Sequence, residues 1–546
     1  MFAARNPLTV AAAVSLWLAA FANWPLWRAL AALPELASVR GALFMLSLGL
    51  MIAALHLALL SLGAWRRCIK PLSLLLLLAA AAGAHFMGRY RVVIDPTMML
   101  NVLQTDAHEA GELIGVPLLL SLALLGGIPA WWLWRTPLRA LPAAAQALRN
   151  VAVLVLALWL AGGLGVLNFA SLSATMRNHK ALRYMVNPAN SVYALGRLAV
   201  QRGVRPAAAA EAIGADAAAP ARRADGKPPL LMLVIGETAR ADHFSLNGYA
   251  RPTNAETAAR GAIGFSRVSA CGTSTAASLP CMFSHLGRER FEARSHDYQN
   301  LLDVAQRAGL AVLWLDNQAG CKGLCERVPH ASAAQPPAGS THAAGLCDGD
   351  ECLDEALLTG LDQRLASLSA ERRQRGVLLV LHQMGSHGPA YSKRSPPARK
   401  PFQPECLTTA LQDCTPAALV NAYDNSIAYT DHVLAGAIDW LQRQRAHHDP
   451  MLLYVSDHGE SLGEDGLYLH GLPYALAPRA QTQVPLLLWL PPQSEAAIGA
   501  TRACLQQRRD VPLSHDHLFH TVGGLLGVRS QLFDTALDLV APCRGA

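Results

Sequence analysis

The chain has 546 residues, a length that leaves room for more than one domain. Hydrophobic residues make up 52% of it and charged residues 16%, which excludes an ordinary soluble protein, and the apolar excess lies near the N-terminus. The net charge of +7 comes without a basic tract or a nucleic-acid motif, so it favours contact with an anionic membrane surface over RNA or DNA.

Five apolar runs in the N-terminal part are each long enough to span a bilayer. The first resembles a signal peptide around Ala20-Phe21-Ala22, but its apolar residues continue through Trp27, and we interpret it as an uncleaved anchor. Arg5 and the basic residues of two inter-span segments mark the cytoplasmic side, so an odd number of spans places everything after Leu172 outside the cytoplasm. The predicted spans are 8–30, 42–65, 71–87, 113–134 and 151–172.

The segments that flank the last two spans are polar. Residues 88–112 form an outer loop, which is either simply solvated or positioned to meet a lipid headgroup. Residues 173–202 are basic and partly amphipathic, so we expect them to lie along the membrane surface, and the Ala- and Pro-rich residues 203–229 predict a flexible bridge. The predicted domains are a transmembrane domain (1–172), an interfacial segment with a linker (173–229) and a globular domain (230–546).

The globular domain alternates apolar, strand-like runs with helical patterns. This alternation is typical of a mostly parallel sheet with helices on both faces, an α/β/α arrangement. The predicted strands are 230–235, 311–315, 377–381, 451–455 and 484–490, and the predicted helices are 301–308, 354–372 and 417–445.

Two of these strands end in residues that can bind a metal. Glu237 follows the first strand, and Asp457 and His458 follow the fourth. Ligands collect beyond the carboxyl ends of strands in α/β sheets, and a carboxylate beside an imidazole suits a zinc-like cation. For Asp-His-Gly alone a polar turn is about as plausible as a metal site, but two such strand ends favour the metal.

Residues 271–281 predict a turn that leads into a helix. A hydroxyl at a helix start meets free backbone N–H groups and can cradle a phosphate, although Ser or Thr there is most often only an N-cap. Beside a metal, the same hydroxyl can attack phosphorus. The residues alone do not choose among Thr273, Ser274 and Thr275.

Further histidines lie near strand ends, at His382, His387 and His470. A lone histidine is usually packed or solvated, but several beside carboxylates favour a second cation or an anionic phosphate.

Ten of the 11 cysteines fall in the globular domain, and the other, Cys68, lies at a predicted cytoplasmic membrane edge. An even number in an oxidising compartment predicts disulfides, and the absence of any Cys-x-x-Cys pair argues against a zinc ribbon. Close spacing suggests the pairs Cys271–Cys281, Cys321–Cys325, Cys347–Cys352 and Cys406–Cys414, which leaves Cys504 with Cys543.

Four motifs in combination closely resemble those of the lipid A phosphoethanolamine transferases, which include the mobile colistin-resistance enzymes. They are Glu237-Thr238, residues 271–275 (Cys-Gly-Thr-Ser-Thr), residues 382–389 (His-Gln-Met-Gly-Ser-His-Gly-Pro) and residues 456–460 (Ser-Asp-His-Gly-Glu). The resemblance extends over essentially the whole chain. It implies an alkaline-phosphatase-like α/β/α domain in the periplasm, anchored in the inner membrane of a Gram-negative bacterium by a five-helix transmembrane bundle.

The resemblance also implies roles for individual residues. Thr275 matches the nucleophile, and the zinc ligands fall on Glu237, Thr275, Asp457 and His458. His382 and His470 match residues that bind phosphoethanolamine or a second zinc, so one or two zinc ions are implied. The remaining matches are the pocket residues Lys322, Glu460 and His387 and the suspected lipid contacts Asn101, Thr105 and Glu109.

The implied reaction is a double displacement. The Thr275 hydroxyl, activated by zinc, takes phosphoethanolamine from phosphatidylethanolamine, and a lipid A phosphate then accepts it. We expect a monomer whose product binds cationic peptides such as polymyxin less tightly. A related transferase acting on core sugars, or moving phosphoglycerol, remains open. A non-enzymatic receptor is disfavoured by the intact site, and a sulfatase by the missing Cys/Ser-x-Pro-x-Arg motif.

Overall fold

The computed structural model describes residues 4–105, 107–204, 210–219, 226–349 and 351–545. The chain forms two compact units. The first contains Met1–Leu103 and Ala107–Gln201, and the second contains Gln104–Asp106 and Arg202–Ala546.

Among the described residues of the first unit, four helices are long and apolar enough to cross a membrane. A fifth span is a bent pair, Pro7–Ala22 and Trp24–Ala31, which meet at 47°. Asn23 occupies the break, and its side-chain amide donates to the Leu18 carbonyl at 2.8 Å. The expectation of five spans is therefore met when the bent pair counts as one. The other four spans are Val39–Leu62, Ile69–Arg89, Val116–Arg135 and Ala143–Leu167.

The polar segments that flank the last two spans are more ordered than the sequence predicts. The predicted outer loop contains the helices Pro96–Gln104 and Ala107–Leu113, and the helices Phe169–Asn178 and Ala189–Val204 follow the last span. Asn187, before the last of these, is fully buried and donates from its side chain to the Ala80 carbonyl at 2.6 Å. The predicted surface segment thus packs in part among the helices of its own unit, where a buried amide finds partners.

The second unit is built on an eight-stranded sheet with the order β12-β2-β11-β8-β1-β7-β3-β4. Only β11 runs antiparallel to its neighbours, so the predicted mostly parallel α/β fold is confirmed. Two short hairpins, β5–β6 and β9–β10, lie outside this sheet. The strands are β1 (Pro229–Gly236), β2 (Ile263–Ser269), β3 (Ala311–Asp316), β4 (His330–Ser332), β5 (Cys347–Asp348), β6 (Glu351–Cys352), β7 (Val377–His382), β8 (Asp449–Ser456), β9 (Ser461–Leu462), β10 (Tyr468–Leu469), β11 (Gln483–Trp489) and β12 (Leu513–Ser514).

Apolar clusters cover both faces of the sheet. Leu231 and Leu233 of β1 belong to one cluster, and Met232 and Val234 belong to the other, as the alternation of side chains along a strand requires. The α-helices around the sheet are Ala255–Ala259, Thr275–Met282, Arg288–Ala293, Leu301–Arg307, Leu361–Ser367, Ala370–Arg373, Pro416–Arg443, Arg479–Thr482, Pro492–Ile498, Arg502–Gln507 and Asp516–Leu526.

The predicted helix 354–372 is wrong as a single element. It is divided into a 3₁₀ turn, Asp354–Leu358, and the helices Leu361–Ser367 and Ala370–Arg373. Gly360 interrupts it with φ at +67°, a left-handed conformation that a continuous right-handed helix excludes.

Part of the predicted flexible bridge packs on the core of the second unit. Ile213 is buried in the core, and Ala218 forms a β-bridge with Arg529. Asp216 accepts hydrogen bonds from the Ser530 hydroxyl at 2.8 Å and from the Gln531 amide at 2.6 Å. Residues 210–219, called the strap below, are therefore ordered although they are rich in small residues. The buried Ile213 side chain and the bonds to Arg529, Ser530 and Gln531 hold them on the unit.

Candidate active site

Three buried side chains lie close together at the carboxyl ends of two adjacent parallel strands, β1 and β8. Glu237 directly follows β1, and Asp457 and His458 directly follow β8, whose last residue lies beside the end of β1. All three side chains are fully buried. His458 Nε2 lies 3.2 Å from Glu237 Oε1 and 3.5 Å from Asp457 Oδ2. The structure thus brings together the strand ends that the sequence singles out.

The free atoms of these side chains suit a metal ion. Glu237 Oε1, Asp457 Oδ2 and His458 Nε2 are buried without a hydrogen-bond partner among the described residues. One ligand atom from each side chain lies within 4.8 Å of the others. His458 Nδ1 donates to the Gly459 carbonyl at 2.9 Å, which leaves Nε2 as the ligand atom. Two carboxylate oxygens and one imidazole nitrogen fit zinc.

The electrostatics of the cluster also favour a bound cation. Burial opposes ionisation of Glu237, but the neighbouring His458 imidazolium outweighs it and lowers the pKa of Glu237. Burial together with the Glu237 carboxylate raises the pKa of Asp457 to about 6. Burial would lower the pKa of His458, but the two carboxylates raise it to about 10. Two buried carboxylates thus favour a positive charge beside them, which a metal cation bound there would supply.

The turn at 271–275 separates the three candidate hydroxyls. Thr275 begins the helix Thr275–Met282, and its hydroxyl donates to Glu237 Oε2 at 2.9 Å. The Thr273 hydroxyl donates instead to the Leu472 carbonyl at 2.6 Å. Ser274 is the N-cap residue, and its buried hydroxyl has no partner among the described residues. Thr275 is the hydroxyl that contacts the carboxylate and imidazole cluster.

The turn is tight at Gly272. A Cβ there would lie 2.8 Å from the Ser278 amide, so only glycine allows the chain to double back onto the following helix. The disulfide Cys271–Cys281 joins the start of the turn to the end of that helix.

The histidine that ends β7 is oriented by a carboxylate on the neighbouring strand. His382 Nδ1 lies 3.0 Å from Asp316 Oδ2, and its buried Nε2 has no partner among the described residues. Burial lowers the pKa of His382, but the Asp316 carboxylate more than compensates and raises it. The sequence analysis missed Asp316, although it ends an apolar strand just as Glu237 and Asp457 follow theirs.

Gln318 is a second residue that the sequence analysis missed. Its side-chain amide donates to Glu237 Oε2 at 3.1 Å, the same oxygen that accepts from Thr275. An amide after a strand carries no charge and matches no metal motif, so no sequence signal distinguishes it from a loop residue.

A loop after β10 brings His470 to the cluster. The rings of His470 and His458 are 4.3 Å apart, and His470 Nδ1 lies 3.2 Å from Glu460 Oε2. The ring of His387 is 5.8 Å from that of His470. The loop that carries His387 is pinned by Asp354, which accepts from the amides of Met384 and Gly385 at 2.8 Å.

The other predicted residues are placed as follows. Lys322 is half-buried within the Cys321–Cys325 loop and donates to the Ala319 carbonyl at 3.0 Å. Asn101 lies on the helix Pro96–Gln104, Thr105 follows it, and the side chain of Glu109 lies outside the described residues. The disulfides join the same five pairs that the spacing suggests, which are Cys271–Cys281, Cys321–Cys325, Cys347–Cys352, Cys406–Cys414 and Cys504–Cys543.

The chain is similar to known enzymes over nearly its whole length. A family model described as phosphoethanolamine transferase EptA/EptB matches residues 52–202, and one described as sulfatase matches residues 229–528. EptA of Escherichia coli K12 is 39% identical over 494 residues, which cover 87% of this chain and 86% of that protein. The phosphatidylethanolamine transferase Mcr-1 of Escherichia coli is 36% identical over 544 residues, which cover 98% and 96%.

A solved structure extends the similarity to three dimensions. The integral membrane lipooligosaccharide phosphoethanolamine transferase A of Neisseria meningitidis is 33% identical and superposes with a TM-score of 0.90 over 98% of both chains. The resemblance drawn from the motifs is thereby confirmed, together with the fold class. The chain belongs to the phosphoethanolamine transferases of the EptA and Mcr type, as an integral inner-membrane enzyme with an alkaline-phosphatase-like catalytic domain in the periplasm.

Proposed function

We propose that this enzyme moves phosphoethanolamine from phosphatidylethanolamine to a phosphate of lipid A through a covalent intermediate on Thr275. The contact between the Thr275 hydroxyl and Glu237, at 2.9 Å within a buried cluster of metal-binding groups, carries the proposal. The relatives named phosphoethanolamine transferase EptA and phosphatidylethanolamine transferase Mcr-1 favour the same transferred group and the same donor.

Glu237, Thr275, Asp457 and His458 would hold one zinc ion. When bound there, zinc would lower the pKa of the Thr275 hydroxyl and offset the charge of the phosphoryl oxygens. Gln318 restrains the Glu237 carboxylate through its hydrogen bond, so the oxygen that faces Thr275 keeps its direction. The first amides of the helix Thr275–Met282 add donors for the phosphoryl group, since they have no acceptor within the helix.

The first half-reaction forms the bond between Thr275 Oγ1 and phosphorus and breaks the bond between phosphorus and the glycerol oxygen. Thr275 gives up its hydroxyl proton, and diacylglycerol takes up one as it leaves. In the second half, a lipid A phosphate oxygen forms a bond to the same phosphorus, and the bond between phosphorus and Thr275 Oγ1 breaks. The acceptor phosphate gives up its proton if it carries one, and Thr275 Oγ1 takes up a proton to become a hydroxyl again. A covalent step allows one cleft to serve two bulky lipids in turn.

The histidines beside the cluster would bind the phosphoethanolamine group or a second zinc. His382 presents its free Nε2 while Asp316 holds its Nδ1, and His470 stands against His458. The residues assigned to this pocket are His382, His470, Lys322, Glu460 and His387.

The remaining assignments concern the rest of the chain. The proposed domains are 1–172, 173–229 and 230–546, although residues 210–219 pack on the catalytic unit. Asn101, Thr105 and Glu109 stay predicted lipid contacts, and the enzyme is proposed to work as a monomer. Adding ethanolamine lowers the negative charge of lipid A, so cells carrying the enzyme should resist polymyxin.

The covalent step can be tested with phosphatidylethanolamine alone. The full-length enzyme should release diacylglycerol and gain the mass of one phosphoethanolamine on the peptide that contains Thr275. Thr275→Ala should abolish both results, while Thr273→Ala, which loses only the bond to the Leu472 carbonyl, should leave the adduct detectable. An adduct on Thr273 or Ser274 would contradict the assignment.

A second acceptor has specific support. Relatives named Kdo(2)-lipid A phosphoethanolamine 7''-transferase, from Salmonella typhimurium and Escherichia coli, are 28% and 27% identical over 504 and 547 residues. Mass spectrometry of lipid A and of core sugars, from cells with and without the gene, distinguishes the acceptors. A mass gain on the core and none on lipid A would favour this alternative.

A further inference from the structure

We propose that His515 is a positioning residue, which fixes the turn carrying Thr275 against the segment carrying Asp457 and His458. The inference rests on the proposed function, in which the Thr275 hydroxyl attacks phosphorus beside that segment.

His515 joins three segments that meet at the site. It lies at the start of the helix Asp516–Leu526, is 2% exposed, and donates from its main chain to the Ser269 carbonyl at 2.9 Å, at the end of β2. Its Nδ1 accepts from the Cys271 amide at 3.0 Å, and its Nε2 lies 2.9 Å from the Ser456 carbonyl. Cys271 opens the turn that leads to Thr275, and Ser456 directly precedes Asp457. One imidazole therefore spans the gap between nucleophile and ligands.

The two hydrogen-bond partners of the His515 ring select one neutral tautomer. The Cys271 amide can only donate and the Ser456 carbonyl can only accept, so Nδ1 is bare and Nε2 carries the proton. Burial lowers the pKa of His515 to about 3, which agrees with this form at neutral pH. A smaller side chain leaves either the amide or the carbonyl without its partner.

The Ser278 hydroxyl makes a second connection between the helix that Thr275 begins and the segment that carries Asp457. The Ser278 hydroxyl, on the helix that Thr275 begins, donates to the Asp457 carbonyl at 2.5 Å and lies 3.3 Å from His515 Nδ1. The Cys271–Cys281 disulfide further restrains this helix. Loss of the imidazole should thus shift the turn rather than unfold it. A displacement of about 1 Å between reacting groups can cost on the order of 100-fold in rate.

The test uses His515→Asn in the full-length enzyme, with phosphatidylethanolamine as donor and lipid A as acceptor. Asparagine places an acceptor near the position of Nδ1 but is too short to reach the Ser456 carbonyl. We expect kcat to fall about 10- to 100-fold, KM for phosphatidylethanolamine to stay within about threefold, and the zinc content to stay unchanged. His515→Gln, whose amide can reach Ser456, should recover part of kcat.

His520→Asn is the matched control. His520 lies on the same helix, is 3% exposed, accepts from the Asp534 amide at 3.0 Å and packs its ring beside Phe519 and Phe533. None of these three partners belongs to the turn or to β8. This control should lower the unfolding temperature and leave kcat per folded molecule unchanged.

Equal kcat per folded molecule in His515→Asn and His520→Asn would overturn the inference, as would a His515→Gln enzyme no better than His515→Asn. The wild-type adduct experiment decides the proposed function separately. If no adduct forms on Thr275, the covalent mechanism fails, whereas the ratio of kcat between variant and wild type still decides the role of His515.

Discussion

The residues of the site are oriented by partners on their outer sides. His458 uses Nδ1 for the Gly459 carbonyl, and His382 uses Nδ1 for Asp316, so both rings direct Nε2 into the cluster. Such partners fix which nitrogen is free to bind a metal or a phosphate. The chemistry of the site therefore depends on these outer partners as well as on the side chains that face into the cluster.

Asp316 is the clearest case, and we predict that Asp316→Asn lowers activity about 10- to 100-fold. The carboxylate accepts from the Trp314 indole at 2.8 Å, from the amides of Gln318 and Gly320 at 2.9 and 3.2 Å, and contacts His382. An asparagine amide directs its own N–H groups at one of these donors in either orientation. Steady-state kinetics measures the loss, and the zinc ion proposed for Glu237, Thr275, Asp457 and His458 should stay bound.

Asp362→Asn is the control for this change. Asp362 also accepts from an indole, that of Trp440 at 3.1 Å, but it belongs to the helix Leu361–Ser367 away from the strand ends. It should keep wild-type activity. Equal activities in the two variants would show that Asp316 does not orient the site.

Buried neutral histidines should make stability depend on pH. Burial lowers the pKa of His448 and His520 to about 4, below the value near 6.5 of an unfolded chain. Their stabilising contribution is complete above pH 6.5 and is lost as the pH falls towards 4, because the unfolded state then binds more protons. At pH 5 a fully buried imidazole loses roughly 2 kcal/mol of this contribution.

His520→Asn isolates this effect from that of the carboxylates. Its stability should fall less than that of the wild type between pH 7 and pH 5, as measured by denaturant unfolding of the full-length enzyme at both values. Parallel pH profiles for the two proteins would contradict the prediction.

At the scale of elements, the sequence predicts the strands that are continuous apolar runs. These are the central strands of the sheet. Glu237, Asp457 and His458 could be predicted as site residues because each lies just after one of these buried strands. The strand β2 was missed because Gly264, Ser266 and Arg267 interrupt its apolar residues. The contacts of Thr275, Gln318 and His515 join segments far apart in the chain, and no local pattern encodes them.

The loop after β7 should tolerate no side chain at Gly385. Its φ is +54°, and a Cβ there would lie 2.7 Å from the Glu237 carbonyl oxygen and 2.8 Å from the Glu237 amide. Backbone atoms of a ligand residue cannot move aside without moving the ligand. We therefore expect Gly385→Ala to lose at least about 100-fold in kcat/KM, in line with a displacement of about 1 Å.

Gly320→Ala is the control that separates the effect of a strained φ from the effect of the clash between residue 385 and the Glu237 backbone. Gly320 also has a positive φ, +81°, but a Cβ there has nothing within 4 Å. Its variant should lose about 1 kcal/mol of stability from the left-handed conformation and keep its activity within a few-fold. If both variants were equally inactive, the strain and not the approach to Glu237 would be responsible.

At the scale of the whole molecule, the catalytic unit extends beyond the boundary that composition predicts. The strap formed by residues 210–219 adds Ile213 to the core, and the Arg307 guanidinium donates to its carbonyl. Burial of one isoleucine contributes roughly 1.5 to 3 kcal/mol, and the bonds of Asp216 to Ser530 and Gln531 add to this. A domain with its own core on both faces of the sheet should fold without the membrane helices.

We therefore predict that a soluble fragment of residues 210–546 unfolds at a temperature several degrees above that of a fragment of residues 226–546. Differential scanning calorimetry of both fragments measures the difference. Ile213→Ala in the longer fragment should remove most of it, because truncating a buried isoleucine costs about 2 to 5 kcal/mol. Asp216→Ala should remove a smaller part, since its carboxylate is exposed to solvent at the edge of the strap. Identical unfolding temperatures for the two fragments would mean that residues 210–219 are a flexible bridge after all, as their composition suggests.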